Sequence, residues 1–229
     1  MMGDGERVKA PGSLVIFGYA PMEDITMKVT PDIKRPGESI LGLIDLGLGK
    51  NRLGGSSWAQ ACNQLGNKCP DVDDPKLFAN SLRAVQKLIR EGLILSMHDR
   101  SDGGLITTVA EMCMASRCGF SLYLDRIETA HAELLNEELG FVLEYDEERE
   151  KQIRRICAEL NVPLSMIGIT QDRQDCEILH GTEPVFREPT MQLHEWWEST
   201  SFELDKLQMD PECAVEERRG RQVALPGIQ

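Results

Sequence analysis

An α/β sandwich with a mixed sheet is the fold class this sequence predicts, and three observations carry the prediction. Short apolar runs bounded by Gly and Pro alternate along the chain with amphipathic helical stretches, the pattern of strands interleaved with helices. Residues 140–145, 147–160 and 164–170 read as strand, helix and strand, a βαβ unit whose helix has an acidic, solvated face. A chain of 229 residues is also long enough to bury roughly 70% of its unfolded surface, which supports one domain of about 200 residues with a tail.

The elements follow in order. Residues 13–19 and 41–46 are aliphatic or β-branched runs between Gly and Pro and read as strands. Residues 59–65 suggest a short helix. A longer helix spans 75–91, with Asp74 as N-cap, Pro75 in the first turn, and Leu77, Leu82, Val85, Leu88 and Ile89 facing inward; Gly92 stops it. The run 93–97 reads as a buried strand. The helix after it places Leu105, Val109, Met112 and Cys113 on one face, with Ser101 or Asp102 at the N-cap. Strand 120–124, helix 130–136 and the βαβ unit come next, then a strand at 176–180. A helix at 190–207 carries Trp196 and Trp197, one expected to pack and the other to cover a partner surface. Residues 1–12, with a doubled methionine, read as an expression start or linker to a chain that continues upstream. Residues 13–207 form the domain, and 208–229, rich in Glu, Arg, Pro and Gly, a linker or a segment that wraps another domain.

The segment His98-Asp99-Arg100-Ser101-Asp102-Gly103-Gly104 joins a strand to a helix and suits a metal-bound phosphate. A helix start offers unpaired N–H groups and a partial positive charge, and glycines let a ligand approach the backbone. The dipole contributes only about 0.3–1 kcal/mol at an exposed site, so a polyphosphate there needs a divalent cation. Asp99 is the expected Mg2+ ligand, a hard carboxylate oxygen whose partners in the coordination shell are phosphate and water. Read structurally instead, Ser101 and Asp102 cap a helix, the glycines allow tight packing, and His98 is a half-buried, hydrogen-bonded side chain. Arg100 is either a salt-bridge or a phosphate-facing group.

A second loop, Asp45 to Ser56, also leaves a strand and enters a helix. Its glycines and Ser56 either present amides to an anion, with Lys50 and Arg52 adding charge, or form a tight turn capped by Ser56. It is not a Walker A loop, because Ile44 stands where the first Gly belongs and Asn51 follows Lys50.

Composition excludes several function classes. The net charge is −13, and it is uneven. Residues 1–114 hold 13 basic and 14 acidic side chains, residues 115–229 hold 12 and 24, so a nucleic-acid partner, which needs clustered Lys and Arg, is not expected. The seven cysteines include no Cys-x-x-Cys pair, and the four histidines do not flank them at zinc-site spacing. Reduced structural thiols are expected. No apolar run approaches the roughly 18 residues a membrane span needs, and the N-terminus lacks a secretory core. A cytoplasmic location is expected.

Several motifs in one order resemble a known family: Asp45-Leu46-Gly47, Asn51-Arg52-Leu53-Gly54-Gly55-Ser56, Cys69-Pro70-Asp71-Val72-Asp73-Asp74, the His98 to Gly104 segment, Glu138-Leu139-Gly140, Trp196-Trp197-Glu198 and Asp210-Pro211-Glu212-Cys213-Ala214. Together they resemble phosphoribosylformylglycinamidine synthase of the large, single-chain type, over most of the chain. The resemblance implies an AIR synthase C-terminal domain-like α/β fold, the second such domain of that enzyme. It implies a parent ATP-dependent C–N ligase, a glutamine amidotransferase of de novo purine biosynthesis, that converts formylglycinamide ribonucleotide to the amidine. There an amide oxygen is activated by phosphorylation and displaced by ammonia drawn from glutamine. By the same resemblance Asp99 matches a Mg2+ ligand and Ser101 a residue that contacts ATP or ADP. The nucleotide in that half is tightly held with a structural role, so no catalytic residue is expected here. The partners implied are the nucleotide and the other domains of the parent chain, including a glutaminase domain after residue 229. No Gly-x-Cys-x-Gly elbow is present, and the isolated chain is expected to be inactive. A selenophosphate synthetase or hydrogenase-maturation protein shares the general architecture but does not account for the Trp196-Trp197 and Asp210-Pro211 stretches. The alternative from another class is a structural or assembly module with no nucleotide site of its own.

Overall fold

Seven strands form one mixed sheet with helices on both faces. The computed structural model describes residues 2–3, 6–7, 15–22 and 24–222. Its strands are β1 (Ile40–Asp45), β2 (Ser96–Asp99), β3 (Gly119–Leu124), β4 (Gly140–Tyr145), β5 (Ser165–Gln171), β6 (Asp175–His180) and β7 (Glu183–Pro189). Their order across the sheet is β2-β4-β1-β5-β3-β6-β7. Only β3 and β6 pair in parallel; every other neighbouring pair is antiparallel. The helices are α1 (Ser57–Ala61), α2 (Pro75–Arg90), α3 (Gly104–Ser116), α4 (Ala130–Leu135), α5 (Glu150–Glu159), α6 (Thr190–Gln208) and α7 (Pro211–Gln222).

The pleat divides the core in two. Leu41, Leu43, Phe120, Leu122 and Val142 pack with Leu105, Val109 and Met112 of α3 and with partly buried residues of α4 and α6. Ile44, Leu143 and Tyr145 project to the other face, against α2 and α5. The sandwich read from the alternation is therefore present, with helices on both sides of the sheet. The expected βαβ unit is also present: β4 and β5 run in the same direction, joined through α5, with β1 inserted between them.

Most elements lie within one or two residues of expectation. Asp74 caps α2 by accepting from the Lys76 and Leu77 amides, with Pro75 in the first turn. Leu82, expected inward, is 43% exposed. At 3.6 residues per turn the inner face runs through Leu77, Ser81, Ala84, Val85 and Leu88, and position 82 swings off it. The strand expected at 93–97 begins at Ser96 and carries His98 and Asp99 within it.

Two expected elements are corrected, and two further elements had not been expected. Residues 15–19 are exposed and form no strand, having no neighbouring strand to complete a ladder; residues 13 and 14 lie outside the described residues. The helix expected at 59–65 is the single turn of α1. Strand β7 was not among the expected elements; its Pro184 and Pro189 are tolerated because it lies at the edge of the sheet. Beyond 208 the chain is helical in α7: Ala214 is buried, Arg218 is hydrogen-bonded to Glu195, and its guanidinium stacks 4.5 Å over the Phe202 ring. Within 1–12, Met2–Gly3 and Glu6–Arg7 pair as a two-residue antiparallel ladder; the rest of that stretch and residues 223–229 lie outside the described residues.

Candidate nucleotide and metal site

Strands β1, β2, β3 and β6 point the same way, so their carboxyl ends share one edge of the sheet. In open parallel α/β sheets ligands bind at the carboxyl edge, and four of the seven strands here end at this one. It carries the Asp45 turn, the 99–104 joint and a cleft of about 570 Å3 whose lining includes Leu43, Asp45, Arg100, Leu122, Tyr123 and Arg126. Asp99 and Ser101 do not line that cleft.

The structure brings Asp99 and Ser101 together. The Ser101 hydroxyl donates to Asp99 Oδ2 over 2.6 Å, and the Asp99 side chain is 69% exposed. An inward Asp99 neutralised by the neighbouring guanidinium would leave no room for a cation. Instead Arg100 turns inward and pairs with Asp45 at 2.6 Å. Its Nε donates to the Glu138 carbonyl, and one terminal nitrogen also reaches the Leu139 carbonyl at 3.2 Å. The open choice at Arg100 resolves as a buried ion pair.

His98 is half-buried, as its structural reading expected. Its Nδ1 lies 2.7 Å from the Asp99 carbonyl oxygen. Nε2 lies 3.3 Å from Glu111 on α3, and Glu111 accepts from the Trp197 indole at 2.8 Å. The two tryptophans do not divide as expected: Trp196 is 53% and Trp197 54% exposed.

Neither Ser101 nor Asp102 caps α3. Gly103 occupies the N-cap with φ +83°, and no side chain of the cap residue contributes. One oxygen of Glu137 accepts from the Gly103 amide and from the Ser57 amide, each at 2.8 Å, and so serves the heads of α3 and α1 together. Sequence reading missed Glu137, Glu138 and Asp45 as organising groups. The Asp45 carboxylate takes the Gly47 and Gly49 amides, and Glu138, 1% exposed, takes Arg52 through two parallel bonds of 2.6 and 2.7 Å.

The Asp45–Ser56 loop accordingly takes its structural form. Ser56 caps α1 by accepting from the Ala59 amide, and Lys50 and Arg52 pair with Asp73. These two cations, Lys50 first, hold the Asp73 carboxyl below its ordinary range, and Glu138 above all raises Arg52 further. Among the described residues no group of three or more His, Cys, Asp or Glu is placed to hold a metal ion. No helix of these residues is long and apolar enough to cross a membrane. All seven cysteines are free.

Residues 35–181 match the family model for the AIR synthase related protein, C-terminal domain. The chain belongs to that family. Outside the family model, this AIR synthase-related domain is 42% identical over 219 residues to the probable chloroplastic/mitochondrial phosphoribosylformylglycinamidine synthase of Arabidopsis thaliana. It is 38% identical over 221 residues to the human phosphoribosylformylglycinamidine synthase. These alignments cover 95% and 94% of the chain, and the chain spans 16% of the length of each relative. The PurL of Thermotoga maritima complexed with ATP has the same fold, with a TM-score of 0.59 at 16% identity over 74% of this chain and 27% of that one. The same PurL complexed with FGAR aligns at 0.58 and 15% identity, over 74% and 30%.

Proposed function

We propose that this chain is an AIR synthase-related C-terminal domain of an ATP-dependent C–N ligase, a phosphoribosylformylglycinamidine synthase. In this reading Asp99 and Ser101 contribute to a site for Mg2+ and ATP or ADP. The single observation that carries the site is the outward Asp99–Ser101 pair at the carboxyl edge, which Arg100 does not engage because it pairs inward with Asp45; His98 Nδ1 stands 3.6 Å from Asp99 Oδ1. The names of the two relatives support the parent activity. The ligands named for the Thermotoga PurL structures agree with a nucleotide.

The residues present fit Mg2+. Asp99 offers an exposed hard oxygen ligand with one hydrogen-bond donor on Oδ2 and would hold Mg2+; with no group of three or more ligating side chains among the described residues, the remaining ligands would have to come from phosphate and water. Bound there, the cation would supply positive charge between the Asp99 carboxylate and a polyphosphate. Ser101 orients Asp99 through its one hydroxyl proton, and with the carboxylate on a cation that proton would turn to a phosphate oxygen; the Gly103 and Gly104 amides are already taken, by Glu137 and by the Ser101 carbonyl. The other domains of the parent complete the site, and the chain alone does not turn over substrate.

A second reading, a structural or assembly module without a nucleotide site, is favoured by Glu137, which already occupies the head of α3 with a carboxylate. Calorimetric titration of ADP into the 229-residue chain separates the two. Saturable binding that requires Mg2+ supports the first, and no heat with or without Mg2+ leaves the second. The free thiols suit a reducing compartment. A cytoplasmic location remains the reading from sequence, while the Arabidopsis relative bears an organellar name.

A further inference from the structure

We propose that Arg100 is a positioning residue for the nucleotide joint: its buried guanidinium locks the 99–104 turn so that the Asp99 carboxylate and the Ser101 hydroxyl project together into solvent. The inference rests on the nucleotide reading above for its ligand, and on the geometry of Arg100 for the rest.

Arg100 stands between the two exposed residues, and its side chain goes the opposite way. The Arg100 side chain is 2% exposed against 69% for Asp99. Its backbone amide donates to the Gly140 carbonyl at 2.9 Å, so both main chain and side chain are anchored to the 138–140 segment. The guanidinium spans three acceptors on two separate stretches: Asp45 Oδ1, and the carbonyls of Glu138 and Leu139. Those stretches are themselves fixed. Asp45 organises its turn through Gly47 and Gly49, and the neighbouring Glu137 holds the Gly103 amide at the far end of the joint.

A buried guanidinium that meets one carboxylate and two carbonyls has little freedom to move, and the peptide planes on either side inherit that restraint. A flexible turn would instead let the Asp99 carboxylate and Ser101 hydroxyl sample many orientations. Ordering them would then fall to the ligand and weaken binding. Lys in place of Arg keeps the charge but loses the planar fork.

The test compares the 229-residue chain with Arg100→Lys, Asp45→Asn, Asp99→Ala and the Arg100→Lys/Asp99→Ala double variant. The first readout is the ratio of ADP affinities with and without Mg2+. Arg100→Lys should reduce this ratio about tenfold, and the double variant should be no worse than Asp99→Ala alone, because both changes remove one interaction. A role confined to stability would lower the melting temperature and leave the ratio intact; that result, or fully additive losses, overturns the proposal. The second readout needs no nucleotide. Hydrogen exchange at the Gly103 and Gly104 amides should quicken about tenfold in Arg100→Lys and Asp45→Asn while Leu43 and Val142 amides keep their rates. If the unsubstituted chain binds no ADP, the nucleotide reading fails for this chain by itself, and the exchange rates still decide whether Arg100 orders the joint. Unchanged exchange at positions 103 and 104 overturns the positioning role.

Discussion

The Ser101 hydroxyl reaches the Asp99 carboxylate over 2.6 Å, and both side chains face solvent at the head of α3. A hydroxyl two residues downstream of an acid thus becomes part of the acid's own environment. Ser101→Ala should weaken Mg2+-dependent ADP binding by about 1 kcal/mol, the usual net value of one hydrogen bond, without moving the unfolding midpoint. Calorimetry at matched Mg2+ checks the first part and urea denaturation the second.

Glu138 is the buried counterpart. It is 1% exposed and held by Arg52 through a two-bond fork, so Glu138→Gln leaves Arg52 facing a neutral partner inside the fold. Breaking such a pair from its buried side should destabilise the fold, because Glu138 is the member inside it. Asp73→Asn, which touches the same arginine from the exposed side, should cost far less. Urea unfolding of both variants measures the contrast, and equal losses would show that the Arg52–Glu138 pair is not what anchors the loop.

The two glycines of the joint differ in what they would strike. A side chain at Gly103 would meet the movable Thr107 side chain, whereas one at Gly104 would meet the backbone of 134–136, with the Asn136 carbonyl at 2.7 Å. Both have positive φ. Gly104→Ala should therefore destabilise by about 3 kcal/mol, left-handed strain plus a clash that cannot relax, and Gly103→Ala by less. Thermal unfolding of the pair tests the order.

Burial pushes the Cys157 and Cys176 thiols from the ordinary 9.0 up to about 11. The unfolded chain then loses these protons at lower pH than the folded one. The stability they contribute is whole below pH 9 and is lost as pH rises toward 11. Stability measured across that interval should fall, and Cys157→Ala should flatten the slope even though it lowers the level. An unchanged slope would mean that Cys157 does not titrate between the two states.

Local signals read well from sequence where they are self-contained. Asp74-Pro75 and Gly92 bound α2 because a cap, a first-turn proline and a left-handed stop act within a few residues. What failed depends on distant partners. Residues 15–19 have a strand's composition but no neighbour, and β7 has prolines that only an edge permits. Glu137 meets amides 34 and 80 residues away, and Arg100 finds Asp45 at a separation of 55, so no local pattern announces either. Ser101 was expected either as a helix cap or as a ligand-facing hydroxyl. The structure settles that it does not cap, because Gly103 does. The nucleotide role proposed for Asp99 and Ser101 rests on their outward geometry.

The most direct measurement uses Mn2+ in place of Mg2+, since it too favours oxygen ligands. Electron paramagnetic resonance of Mn2+ with ADP and the 229-residue chain should show free Mn2+ depleted beyond what ADP alone achieves, and Asp99→Asn should abolish that excess. If the Asp99→Asn chain retains Mn2+–ADP as well as the unsubstituted one, Asp99 is not the metal ligand and the site proposed at the β2–α3 joint is wrong.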